Sequence, residues 1–138
     1  MKRNYLLLAA AVALLVATGA SAQTINVKAN VPFSFVVNRT TLPAGEYSLE
    51  SIGNGGGVLA IRGVNTKTAS LIMSHACESL NAASHGKLVF HRYGGQYFLS
   101  QVWVGGDNRG HELPTSAREK EVAKDFRAEK VMLAVAGR

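Results

Sequence analysis

The residues of this chain that could do chemistry are few: His75, His85, His91 and His111, one cysteine, Cys77, and the carboxylates Glu78, Asp107 and Glu112. His75-x-Cys77 is the most suggestive pair, because a period of two on a strand sends both side chains to the same side. A metal site would need further ligands from elsewhere, with His85 or His91 the nearest in kind, and no spacing in the chain matches a zinc motif. His75, Cys77 and His91 are therefore weak metal candidates. Read as a thiol nucleophile, the same pair lacks a group to orient the imidazole and a donor for the oxyanion. No catalytic or cofactor-binding residue is assigned, and no cofactor is implied.

Other constellations yield to plainer readings. Asp107 and Glu112 would have to sit a defined distance across a sugar to act as a glycosidase pair, and nothing in their spacing requires it. A polar turn with Arg109 accounts for Asp107. His91 and Arg92 stand among Phe90, Tyr93, Tyr97 and Phe98, a mixture that could stack on bases. Alternation, however, places His91 and Arg92 on opposite faces, so cross-strand aromatic packing is the expectation. Gly53-Asn54-Gly55-Gly56-Gly57 lacks the lysine, the hydroxyl and the following helix of a phosphate loop, and reads as a hairpin link.

Composition sets the bounds. The chain has 138 residues and a formal charge of +6. Met1-Lys2-Arg3-Asn4 is a short basic start, Tyr5 to Ala17 an apolar run, and Ala20-Ser21-Ala22 a small-residue cleavage site, which together make residues 1–22 a secretory signal peptide. Gln23 becomes the expected mature N-terminus. Residues 23–138 then form a single domain carrying +4, too mild and too scattered an excess to demand a nucleic-acid partner. No later stretch is apolar enough to span a membrane after signal cleavage. Periplasmic or extracellular localisation follows. One cysteine excludes an intrachain disulfide, and an odd thiol outside the cytosol points to Cys77 as a redox or dimer contact.

The elements that must position these residues are mostly strands. Every second residue from Ile25 to Val37 is apolar, giving two extended pieces that meet at Pro32. Tyr47, Leu49 and Ser51 alternate along another strand. Val58–Arg62 and Ser70–His75 make a hairpin; a turn centred on Asn65-Thr66 sets Leu59 against Ile72 and Ile61 against Ser70. From Ala76 to Gly86 the pattern dissolves into a crossing loop. Lys87–Val104 is the clearest hairpin, with Gly94-Gly95 suited to a type I′ turn. Pairing outward from it puts Leu88, Phe90, Arg92, Tyr97, Leu99 and Trp103 on one face, and Val89, His91, Tyr93, Phe98 and Val102 on the other. Both faces are apolar, so both must be covered. Ser116 with Glu119 forms a capping box, and Val122, Phe126 and Leu133 at helical spacing predict a C-terminal helix over about 116–136.

Val31-Pro32-Phe33-x-Phe35-x-Val37-Asn38, Leu42-Pro43-Ala44-Gly45-Glu46-Tyr47 and the block from Lys87 to Trp103 resemble a family of small exported proteins common in acidobacteria and similar soil bacteria. Gly110-x-Glu112-Leu113-x-x-Ser116 extends the resemblance. It implies export but carries no reaction, cofactor or partner onto any residue, and His75-x-Cys77 lies outside it. The fold expected is all-β: a small closed or partly open β-barrel or curled sandwich with the helix packed across it. The function expected is that of a noncatalytic interaction or envelope-associated structural module whose partner is an unknown protein or envelope component, with a filled centre and an exposed apolar patch or edge; a partly open sheet would let such an edge add a strand from another chain. The alternatives are a binder of a small apolar or amphipathic ligand in a barrel cavity and, less favoured, a metal-dependent or thiol enzyme.

Overall fold

The computed structural model describes residues 26–52, 57–81 and 85–137; the signal peptide expected at 1–22 lies outside them. In chain order the strands are β1 (Asn26–Val31), β2 (Phe35–Val37), β3 (Thr40–Leu42), β4 (Gly45–Ile52), β5 (Val58–Gly63), β6 (Ala69–Met73), β7 (His75–Glu78), β8 (Lys87–Tyr93), β9 (Gln96–Trp103) and β10 (Arg109–Glu112). A short helix, α1 (Ala117–Val122), precedes β11 (Glu129–Ala134) and β12 (Ala136–Gly137).

These strands build two sheets, one ordered β12-β1-β4-β5-β6 and the other β11-β8-β9-β10-β7. The short β2 joins the second sheet, antiparallel to β3 and parallel to β9 through Val36 and Phe98. The alternation read in the sequence decides which side chains turn inward. Val27, Ala29 and Val31 of β1, Tyr47 and Leu49 of β4, and Leu59 and Ile61 of β5 meet Leu88, Phe90, Leu99 and Val102 of the second sheet in one buried cluster. The ring of Phe90 stands edge-on to Phe33 at 5.0 Å and to Phe35 at 5.6 Å, a geometry that sets the positive ring edge against the negative face.

The sheets pack as a sandwich and do not close into a barrel. At two corners the chain nevertheless runs on from one sheet into the other: β6 into β7 through Ser74, and β11 into β12 through Val135. The Val135 N–H donates to the Gly86 carbonyl at 3.0 Å and anchors its corner.

Several expectations hold. The β5–β6 pairing sets Leu59 against Ile72 and Ile61 against Ser70. The chain breaks around Pro32 between β1 and β2, and Asn38 turns β2 into β3 at φ 55°, a left-handed conformation that Asn tolerates better than most residues. Ser116 caps α1 by accepting from the Glu119 N–H at 3.1 Å.

Others are corrected. The helix expected over 116–136 is only α1, and its second half is β11, paired along its whole length with β8. Val131-Met132-Leu133-Ala134-Val135 is an apolar run too short for periodicity to tell strand from helix, and the otherwise open edge of β8 provides the ladder that decides it. Phe126, placed in the helical stripe by its spacing, is exposed and lies over Gly94. The crossing loop read from Ala76 begins instead as β7, paired with β10.

In the β8–β9 hairpin a bulge leaves Ser100 without a partner, since Val89 pairs with Gln101 but Phe90 with Leu99. One extra residue inverts the parity beyond it, so Val102 enters the core and Trp103 goes to the outer face. The turn itself differs too. Gly94 takes φ 60° but Gly95 takes no positive φ, which fits a II′ rather than a I′ turn. The second apolar face is covered as required: Val36, Tyr93 and Phe98 form a smaller cluster against Val122 of α1.

Candidate functional site

The β5–β6 hairpin ends the first sheet, and its hydrogen-bond parity determines what it offers to solvent. The Gly63 N–H donates to Thr68 O at 2.8 Å and the Ser74 N–H to Gly57 O at 2.9 Å. With the register of the pair, these bonds make Leu59–Ile72 and Ile61–Ser70 the bonded pairs between them, because bonded and non-bonded pairs alternate along an antiparallel ladder. The N–H and C=O groups of Ala69, Leu71 and Met73 therefore point away from β5. Among the described residues no backbone group pairs with them.

The same three residues face the outside of the sandwich, where Leu71 is 64% and Met73 68% exposed. Cross-strand rows extend this surface: Met73, Val58 and Ile52 lie in one row, Leu71, Ala60 and Glu50 in the next, and Ala69, Arg62 and Ser48 in a third. The first row is apolar throughout, with Ile52 40% exposed. Arg62 and, just before β6, Lys67 are exposed, and among the described residues neither joins an ion pair.

Proteins usually guard sheet edges with charge, proline or a bulge. Two edge strands of the second sheet follow that rule: β11 begins with Glu129 and Lys130, and β7 carries His75 and Glu78. Among the edge strands of four or more residues, β6, β7 and β11, only Ala69-Ser70-Leu71-Ile72-Met73 has none of these devices.

The residues that suggested chemistry are dispersed. His75 and Cys77 share β7, opposite Glu112 and Gly110 of β10. His91 sits on β8, separated from β7 by β10 and β9, roughly 14 Å at the usual strand spacing. Among the described residues no three His, Cys, Asp or Glu side chains gather as a metal would require. Burial, and after it the charge of Glu112, pushes the Cys77 thiol up, which reduces its thiolate at neutral pH. Asp107 serves its turn, accepting the Arg109 N–H at 3.0 Å and pairing with its guanidinium at 3.6 Å.

Two contacts were not legible in the sequence. Ser74 Oγ lies 3.0 Å from His111 Nδ1, and burial pulls His111 down from the ordinary histidine range. Glu119 of α1, only 4% exposed, faces His91 Nδ1 at 3.5 Å. Burial and then Glu119 raise the neighbouring Tyr93 hydroxyl. Helix spacing marks Glu119 as a capping residue, but its carboxylate holds α1 to the sheet instead.

The Trp103 ring lies against Gly110 on the outer face: a Cβ there would come within 2.7 Å of it. Lys87 lies 5.8 Å above the same ring.

The chain matches no protein-family model, no curated protein and no solved structure.

Proposed function

We propose that this protein is an exported, noncatalytic interaction module that takes an extended segment of another polypeptide as an added strand along β6. The observation that carries this reading is an edge strand with three outward N–H and C=O pairs at Ala69, Leu71 and Met73, no charge, and two large apolar side chains in solvent. Main-chain bonds would supply affinity, and the outer-face rows the side-chain selection. The interior is occupied by Tyr47, Leu49, Leu88 and Phe90, which favours a scaffold that presents a surface over one that encloses a ligand. Export rests on Lys2-Arg3, the apolar run and Ala20-Ser21-Ala22, and the blocks resembling the exported acidobacterial family are consistent with it. Mass spectrometry of exported protein should then find Gln23 at the N-terminus.

The test is Leu71→Pro. Proline removes only an outward N–H and is tolerated on an edge whose N–H faces solvent, so the β5–β6 ladder survives. Affinity purification from the native envelope should recover a partner with the wild type and lose it with Leu71→Pro, while the unfolding midpoints stay close. Equal recovery by both proteins would refute strand addition at β6.

A further inference from the structure

Charge at the two ends of β6 differs, and the difference constrains what lies beside it. At the Met73 end the outer face is apolar: Met73, Val58 and Ile52 form one row. At the Ala69 end stand Arg62, directly across from Ala69, and Lys67, two residues before the strand. Both cations are exposed and, among the described residues, outside any ion pair. Ala69 between Arg62 and the open edge is small, so a guanidinium can reach across it.

The acids of this face sit farther back. Glu50 and Glu46 are on β4, and an added strand would lie three strands from them, roughly 14 Å at the usual spacing. Arg62 is one strand nearer, roughly 10 Å by the same spacing, a gap that an extended arginine and a carboxylate side chain close between them over Ala69. The local field felt by an added strand near Ala69 is therefore positive.

We propose, resting on the strand-addition reading above, that the occupant of β6 is an antiparallel polypeptide segment with the pattern apolar-x-apolar-x-acidic. Antiparallel pairing continues the ladders of the whole first sheet. In that direction the first apolar residue lies opposite Met73, the second opposite Leu71, and the carboxylate opposite Ala69. All three share the outer face, since opposed residues of a ladder point to the same side. The acidic residue then meets Arg62 over Ala69, and Lys67 stands two positions before Ala69 in the turn. A second copy of this chain fits less well, because self-pairing about Leu71 would bring Met73 of the other copy, rather than an acid, opposite Ala69.

The probe is a capped heptapeptide with valine second, leucine fourth and glutamate sixth, threonine elsewhere, and a fluorophore at its N-terminus. Anisotropy against the exported full chain is compared with the peptide carrying glutamine sixth. Exposed ion pairs contribute about 0.2 to 1 kcal/mol, so the glutamate peptide should bind up to about fivefold tighter. That preference should shrink with added salt and vanish in Arg62→Gln, a surface change that leaves the unfolding midpoint in place. Amide shifts at Ala69, Leu71 and Met73 should locate the peptide. Equal binding of both peptides, lost in Leu71→Pro, would overturn the acidic specificity while strand addition stands. Binding of neither, with a concentration-dependent dimer that Leu71→Pro dissolves, would make the occupant a second copy and overturn the proposal. Binding of neither, and no effect of Leu71→Pro on any association, would remove the strand-addition reading as well.

Discussion

His111 illustrates how a residue with a catalytic reputation serves the fold. Its ring is partly buried beside Ser74, at the corner where β6 passes into β7, and burial disfavours its protonated form. A folded-state pKa below the unfolded value means that the unfolded chain binds more protons between the two values. The contribution to stability is then fully present above about pH 6.5 and is lost as the pH falls toward the folded value. Thermal midpoints measured from pH 7.5 downward should decline below that point, and His111→Gln should flatten this part of the decline. An unchanged slope in the variant would assign the acid sensitivity to other groups. Burial and then Glu112 also push the Cys77 thiol up, which lowers its thiolate at neutral pH. His75-x-Cys77 was legible as a pair on one side of a strand, but no spacing rule could show that His91 lies across two intervening strands.

At the scale of elements, β11 carries the clearest test of the architecture. Val131 and Leu133 are half-buried against the core, whereas Met132 between them is 63% exposed. On a helix, residues two apart point roughly 200° from each other, so Val131 and Leu133 could not both face one core. Val131→Asp and Leu133→Asp should each lower the unfolding midpoint strongly, while Met132→Asp should move it little. Equal sensitivity at 132 and 133 would contradict the strand. The same element explains the misplaced helix: acid–base alternation and a good Ser116 cap start α1, and the tail beyond Phe126 has enough β-branched and apolar residues to complete the ladder of β8.

At the scale of the molecule, stability rests on a core shared by both sheets and a smaller one beneath α1. Phe90 is fully buried in the first, and Phe98 is buried in the second with Val36 and Tyr93. Truncating a buried Phe to Ala costs about 3 to 5 kcal/mol, a large part of the roughly 5 to 15 kcal/mol available to a domain. Phe90→Ala should therefore lower the thermal midpoint by many degrees, and Phe98→Ala by less, because its cluster is smaller and closed on one side by a short helix. Arg39→Ala, on the exposed β2–β3 turn, should leave it nearly unchanged. If Phe98→Ala kept its midpoint but lost a partner, the surface beneath α1 would be a recognition site rather than a second core.

Local rules account for much of this structure directly from the amino acids. A period of two marks β1 and β4, Gly94-Gly95 marks the β8–β9 hairpin, proline ends β1, and a turn centred on Asn65-Thr66 gives the β5–β6 register, because each depends on neighbours within a few residues. The Ser116 cap and the Asp107–Arg109 turn are local in the same way. What needed the tertiary structure is whatever depends on residues far apart. The bulge at Ser100 exchanged the faces of Val102 and Trp103, and the unpaired edge of β8 made a strand of an apolar run that fits either period. Glu119 met His91 only when α1 folded back over the second sheet. The candidate site belongs to this class most plainly: Ala69-Ser70-Leu71-Ile72-Met73 reads as an ordinary hairpin strand, and only the order of the whole sheet leaves its outer hydrogen-bonding groups unpaired.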